Sequence, residues 1–243
     1  HAERDGFDLI VGNPPWLKLQ FEEKGLMSER FPELMIRKIS APQVRNLQES
    51  YLQDNNQKEA YYGEYIETES SSAFMNGFQN YPLLKGQQTN LYKCVLENGF
   101  NWVSKNGFLG LVHPESVYDD PKGQTLRKEM YPRLQFHFQF QNAFNLFAEV
   151  AHREKYGVHV YGVKKQNTNF ISINNLFHPA TIDGCLTHSG IGECGGIKIK
   201  GEGDDGFIWN TKSHKSRLVK ISDGQLKILA HTFEGSDYWE GAK

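Results

Sequence analysis

The sequence predicts an α/β protein, with helices wound onto a sheet that ends in an antiparallel strand pair. Three observations predict this. Leu9, Ile10 and Val11 form a short apolar run bounded by turn residues, which is how a fully buried strand of such a sheet reads. Helical spacing across residues 89–105 is followed at once by a second apolar run at 108–112, so strand, helix and strand alternate. Residues 134–140 then alternate aromatic with polar side chains at period two, and residues 156–161 are a second segment rich in β-formers.

Composition narrows the class further. With 243 residues, 38% hydrophobic and 23% charged, the chain can bury one large core, or a core and part of a second domain. A formal net charge of -2 gives no global positive field, so any nucleic-acid contact must rest on local patches. No apolar run is long enough to span a bilayer and no charged-then-apolar leader opens the chain. No membrane partner is therefore expected, and a cytoplasmic location is. Cys94, Cys185 and Cys194 are too few and too irregular for a disulfide framework. Cys185, His188 and Cys194, with His178 nearby, offer the donor types zinc takes, but their spacing matches no standard finger and no metal is expected.

The first strand runs straight into Gly12-Asn13-Pro14-Pro15-Trp16. Gly12 lets the backbone turn, while the two prolines fix φ and remove two backbone donors. This corner keeps its shape and presents carbonyl oxygens at the carboxyl end of a strand, where such sheets gather their chemistry. Acceptors of that kind suit alkylation of a conjugated amine. If the Asn13 side-chain oxygen and the Pro14 carbonyl each accept one amine hydrogen, the nitrogen lone pair is aimed outward at an in-line methyl sulfonium. Positioning and fixed dipoles supply the effect, and no strong base is required. Trp16 offers a flat face for a base drawn out of its stack. Asn-Pro-Pro alone is an ordinary turn; the apolar strand before it and the aromatic after it carry the functional reading.

DLIVGNPPW, residues 8–16, resembles the catalytic motif of the amino-methylating, S-adenosylmethionine-dependent DNA methyltransferases, in particular the adenine-specific methylases of the large restriction-modification and phage-defence type. The resemblance implies S-adenosylmethionine as cofactor, DNA as partner and the exocyclic amino group of adenine as acceptor. Asn13, Pro14, Pro15 and Trp16 would form the catalytic turn, with Trp16 stacking on the base. The fold it implies is the C-terminal half of a Rossmann-like class I methyltransferase sheet. The Gly-rich turn and ribose-binding carboxylate of such a site are not found, so the chain reads as a fragment, inactive alone, whose Asn13 touches the cofactor side while the rest of the parent polypeptide supplies most of that site. The same tetrapeptide pattern, usually ending in Tyr, occurs in protein-glutamine and RNA amine methyltransferases. Those substrates stay open, as does a DNA-reading module that does not catalyse.

The remaining elements follow in order. Residues 20–86 read as a helical insertion in a catalytic unit spanning 1–166, with breaks at Phe31-Pro32 and Ala41-Pro42 and helical spacing across 44–62. Thr89 is the expected cap of the next helix, which Lys105-Asn106-Gly107 should stop. His113, just past the second strand, reads as a loop histidine rather than a base. A short helix is expected within 121–131, closed by Pro132. Between the strand pair, the resemblance places an aromatic against the extruded base; Phe147 takes that role, with Phe144 as the fallback. Arg153 and Lys155 stand nearby for phosphates. A domain boundary is expected near 167, with 167–243 opening a mixed α/β target-recognition domain of short strands and loops. There Lys212, His214, Lys215 and Arg217 form a basic group beside Trp209 suited to phosphate contact. The chain is expected to end without a terminal core element.

Overall fold

A computed structural model describes residues 5–88, 90–203 and 206–243. Strand β1 (Phe7–Gly12) leads through the Asn-Pro-Pro turn into helices α1 (Glu23–Met27), α2 (Glu33–Ile36), α3 (Ala41–Tyr51) and α4 (Asn55–Asn76). Next come α5 (Leu91–Trp102), β2 (Val103–Pro114), α6 (Ser116–Asp119), α7 (Gln124–Met130), β3 (Leu134–Gln141) and β4 (Lys155–Tyr161). Beyond them lie β5 (Asn169–Leu176), α8 (Ala180–Thr187), the ribbon β6 (Lys198–Lys200) and β7 (Phe207–Trp209), then β8 (Val219–Ser222) and α9 (Asp223–Glu234). Six strands form one mixed sheet in the order β1-β2-β4-β3-β5-β8. β1 runs parallel to β2 and β5 parallel to β3, while β4 is antiparallel to both its neighbours.

Register sorts the side chains onto two faces. Leu109 and Leu111 of β2 face the same way as Tyr161 and His159 of β4, packing with α5 and α7 in the larger core. Val112, Tyr156, Phe138, Phe140 and Ile173 point oppositely and form a second cluster. The insertion has a small core of its own, with Met27, Leu34, Tyr51 and Tyr61 buried together.

The strand pair and its alternation are found where the sequence placed them, but several expectations are corrected. β1 is not buried on both faces: Ile10 packs against the larger core, whereas Phe7, Leu9 and Val11 alternate onto the other face and are 63%, 66% and 74% exposed, because no described element covers that face. The sheet does not end on the antiparallel pair. β5 adds alongside β3, since Ile173 and Leu176 bury against Phe138 and Phe140, and β8 then pairs antiparallel to β5. The sheet thus runs on past residue 166.

Local boundaries also differ. Thr89 lies outside the described residues; the N-cap of α5 is Asn90, whose side chain accepts from Tyr92 N–H at 3.4 Å. α5 ends at Trp102, and the chain passes through Lys105-Asn106-Gly107 within β2, where the β1 pairing slips between Phe7↔Val103 and Leu9↔Phe108. Gly107 permits this, because a Cβ there would collide with the Phe7 carbonyl. Pro42 starts α3 instead of breaking a helix, behind a Ser40–Gln43 capping box. Asp54 accepts from Asn56 and Gln57 N–H, dividing the 44–62 stretch into two helices.

The C-terminal segment is part of the main core. α9 begins with a Ser222–Gln225 capping box and buries Leu226 and Ala230 in the larger cluster. Tyr131 donates to the Ala242 carbonyl at 2.8 Å. The buried Arg127 donates to the carbonyls of Tyr118, Asp120 and Glu240, binding α6, α7 and the C-terminal stretch together. Among the described residues, no helix is long and apolar enough to cross a membrane.

Candidate active site

The parallel pairing of β1 with β2 fixes where the Asn-Pro-Pro turn emerges: at the carboxyl edge of the sheet, just past the Gly12↔Leu111 pair. Pro14 is buried and anchors the turn, whereas Asn13 and Pro15 are exposed. Among the described residues no hydrogen bond engages the Asn13 side chain. Its amide therefore projects into solvent-facing space with its acceptor unspent. Trp16 is held from two directions. Its indole N–H donates to the Val112 carbonyl at 3.2 Å, and its ring packs on Tyr156 with centroids 5.7 Å apart.

A cleft of about 580 Å³ opens here, lined on one side by residues 13–16 and on the other by the loop at 146–150. That loop is shaped by Asn142, a residue the sequence analysis did not single out. Fully buried, its amide donates to the Phe147 carbonyl at 2.8 Å and the Val150 carbonyl at 2.6 Å, while its oxygen accepts Phe147 N–H at 3.0 Å. Asn145 takes a positive φ of 51°, a conformation asparagine tolerates better than most residues. Local asparagine content in a tight loop was the available signal.

Phe147 is thereby brought against Trp16, with ring centroids 5.4 Å apart and planes tilted by 55°. A base between two rings needs two contacts of about 3.5–4 Å each, so the rings would have to stand roughly 7 Å apart. The two aromatics line the same cleft but close on one another instead of standing as facing plates on either side of a base. Phe144 is directed elsewhere, onto Phe177 at 6.4 Å.

Other candidate residues are dispersed. His113 is not in a loop but inside β2, wholly buried, with Nδ1 at 3.0 Å from the Pro114 carbonyl and Nε2 at 3.0 Å from the Tyr161 hydroxyl. Burial holds its pKa well below the usual imidazole value. Lys155 begins β4 and lines a different cavity, beside Glu115 and His137. Arg217 donates to the Lys212 and Asn175 carbonyls at 2.8 and 3.0 Å, which leaves Lys212 and Lys215 as the exposed cations of that group. His214 is buried. Cys185, His188, Cys194 and His178 are not gathered into a ligand set: Cys185 Sγ faces the His214 N–H, and the His188 and His178 rings accept from nearby backbone. Among the described residues the one group with metal-ligand geometry is Glu115, His137 and His159.

A family model described as Eco57I restriction-modification methylase matches residues 1–147. No curated protein matches the chain. Among solved structures, the chain is similar to the type I restriction-modification system methyltransferase subunit from Streptococcus thermophilus, at 13% identity and TM-score 0.40, over 76% of this chain and 31% of that one. It is similar to the type IIG restriction endonuclease BpuSI at 14% identity and TM-score 0.40, over 91% of this chain and 20% of that one. A nuclease-deletion mutant of the type ISP enzyme LlaGI, in complex with a DNA substrate mimic, aligns at 15% identity and TM-score 0.36, over 69% and 14%. The chain spans less than a third of the length of each of these structures. With the family model covering residues 1–147 of 243, the chain belongs to the Eco57I restriction-modification methylase family.

Proposed function

We propose that this chain supplies the amine-handling side of a DNA methyltransferase that moves a methyl group from S-adenosylmethionine to the exocyclic amino group of adenine. The observation that carries the reading is the exposed, unengaged Asn13 amide on a proline-stiffened turn at the sheet's carboxyl edge, facing a cleft. In this account the Asn13 Oδ1 and the Pro14 carbonyl each accept one hydrogen of the adenine amine. The nitrogen lone pair, turned out of conjugation with the ring, would then point at the sulfonium methyl; as the N–C bond forms the C–S bond breaks, the cofactor leaves as the neutral thioether S-adenosylhomocysteine, and the extra amine proton passes to water. Preorganised acceptors are worth more here than in water, because they need not reorient as charge develops.

The account gives Trp16 the base's lower face and Phe147 the upper one. Since the rings touch, entry of the base requires the 146–150 loop to lift by a few ångströms. Lys212 and Lys215 are assigned to phosphates, in a target-recognition region of residues 167–243. The division at 166/167 and the Rossmann-like origin of the sheet belong to this same reading. The polypeptide containing this chain, given S-adenosylmethionine labelled in the methyl group, is expected to label duplex DNA and to leave RNA and protein unlabelled. Label in RNA or in protein glutamine, with none in DNA, would replace adenine by those acceptors.

A further inference from the structure

The face of the sheet turned away from the Phe138–Phe140 cluster carries a buried polar group that the proposed methyl transfer does not use. Register His137↔His159 and Leu111↔His159 sets β2, β3 and β4 side by side, and Glu115, just past β2, reaches over their histidines. His137 Nε2 lies 3.0 and 3.2 Å from the two Glu115 oxygens, and His159 Nε2 lies 3.4 Å from Oε1.

Two details make this more than a core salt bridge. The Ser172 hydroxyl donates to Asn174 Oδ1 at 3.1 Å, so His137 Nδ1, 3.0 Å from the same hydroxyl, is the donor of that contact. A neutral His137 then turns a bare nitrogen lone pair on a carboxylate, a repulsive contact unless a positive centre lies between them. Second, His159 is wholly buried and neither of its ring nitrogens completes a hydrogen bond, an arrangement that costs stability unless another partner satisfies them. The space where the three side chains converge is also kept clear. Gly157 lies beneath them, and a Cβ there would collide with the His159 ring and with Glu115 Oε1.

We propose that Glu115, His137 and His159 bind a divalent transition-metal ion of the zinc class, with a further coordination position open to a cavity. Two imidazoles and one carboxylate form a donor set zinc takes, and donors each about 2.1 Å from one ion are separated by roughly 3.0–3.4 Å in octahedral to tetrahedral arrangements. Here each imidazole Nε2 lies within that range of a Glu115 oxygen, His137 at 3.0 and 3.2 Å and His159 at 3.4 Å, and the three donor atoms all lie within 4.8 Å of one another. Ser172 orients His137 through its other nitrogen, as outer groups do for metal-bound histidines. His113, with both nitrogens engaged, is not a ligand; it stacks on His159 at 3.7 Å and fixes that ring. A cavity of about 300 Å³, bordered by Gln139, Lys155 and Asn174, gives water or a small anion access to the remaining position.

The polypeptide containing this chain, stripped with a chelator, is titrated with Co²⁺ and then Zn²⁺. One equivalent of Co²⁺ per chain is expected, with visible ligand-field absorption that Zn²⁺ abolishes and a raised melting temperature. His137→Ala, Glu115→Gln and Gly157→Ala should each lose this equivalent while keeping the far-ultraviolet circular dichroism of the wild type. The double substitution Cys185→Ala/Cys194→Ala should keep it. The proposal is overturned if the wild type takes up no stoichiometric ion, in which case a proton on His137 bridges the pair. It is equally overturned if uptake persists in folded His137→Ala, or vanishes with the two cysteines. None of these readouts depends on methyl transfer.

Discussion

Replacing Asn13 by alanine is expected to lower kcat for methyl transfer by about 10²–10³-fold, the usual cost of removing one preorganised acceptor or donor from a transition state. DNA affinity should change little, because the side chain is small, exposed and engaged by no neighbour among the described residues. KM should therefore stay near the wild-type value, the pattern of an interaction made chiefly in the transition state. Asn13→Asp keeps an acceptor in the same place and should retain much more activity than the alanine variant. Single-turnover kinetics with labelled S-adenosylmethionine, alongside a binding titration, separates the two effects. A variant with unchanged kcat would remove Asn13 from the chemistry and leave the turn a purely structural corner.

Asp120→Asn carries the largest expected stability effect, about 3–5 kcal/mol, because it leaves the Lys93 ammonium buried without its counter-ion. The pair is close, 2.6 Å, with the two side chains only 4% and 12% exposed. Gln87 accepts a second Lys93 hydrogen at 3.1 Å, and Lys122 N–H donates to Asp120 at 2.9 Å. Urea unfolding should show a lower midpoint with an unchanged slope. Adding Lys93→Met should restore part of the loss, since no uncompensated charge then remains. The same pair sets a pH response. Burial opposes ionisation of Asp120, yet the Lys93 and Lys122 contacts offset it and lower its pKa. A depressed carboxyl contributes stability that is fully present above the ordinary aspartate range and lost as pH falls through the lowered folded value. Wild-type stability should thus decline on acidification, and Asp120→Asn should flatten that part of the decline.

The turn at residues 12–16 was legible because its rigidity is local: two prolines and a glycine determine the corner whatever packs around it. The alternation of Phe136, Phe138 and Phe140 was legible for the same reason, since period two is a property of one strand. Phe147 was singled out by a resemblance that set it across a base from Trp16; its direct packing on Trp16 depends on the loop shaped by Asn142, which residue spacing does not show. Asn142 was missed because its partners are the backbone of the loop it shapes. The Glu115–His137–His159 group was missed because its members come from three separate stretches that only strand register brings together. Sequence patterning also overstated the burial of β1, whose apolar run reads as covered on both faces although only the Ile10 face packs against the core among the described residues. The end of the chain was underestimated. Short strands and loops were the expectation throughout that stretch, but Ser222 three residues ahead of Gln225 was a capping signal that would have located α9.

The central claim is that a donor-poor corner at Asn13 and Pro14 presents an exocyclic amine to a methyl sulfonium. Its most direct measurement is the chemical position of the methyl group in the product. Duplex DNA modified by the polypeptide containing this chain, digested to nucleosides and resolved by mass spectrometry, should contain N6-methyladenine and lack it when Asn13 is alanine. Methylation at a ring carbon, as in 5-methylcytosine, would contradict the account, because attack from carbon has no use for two acceptors on an amine.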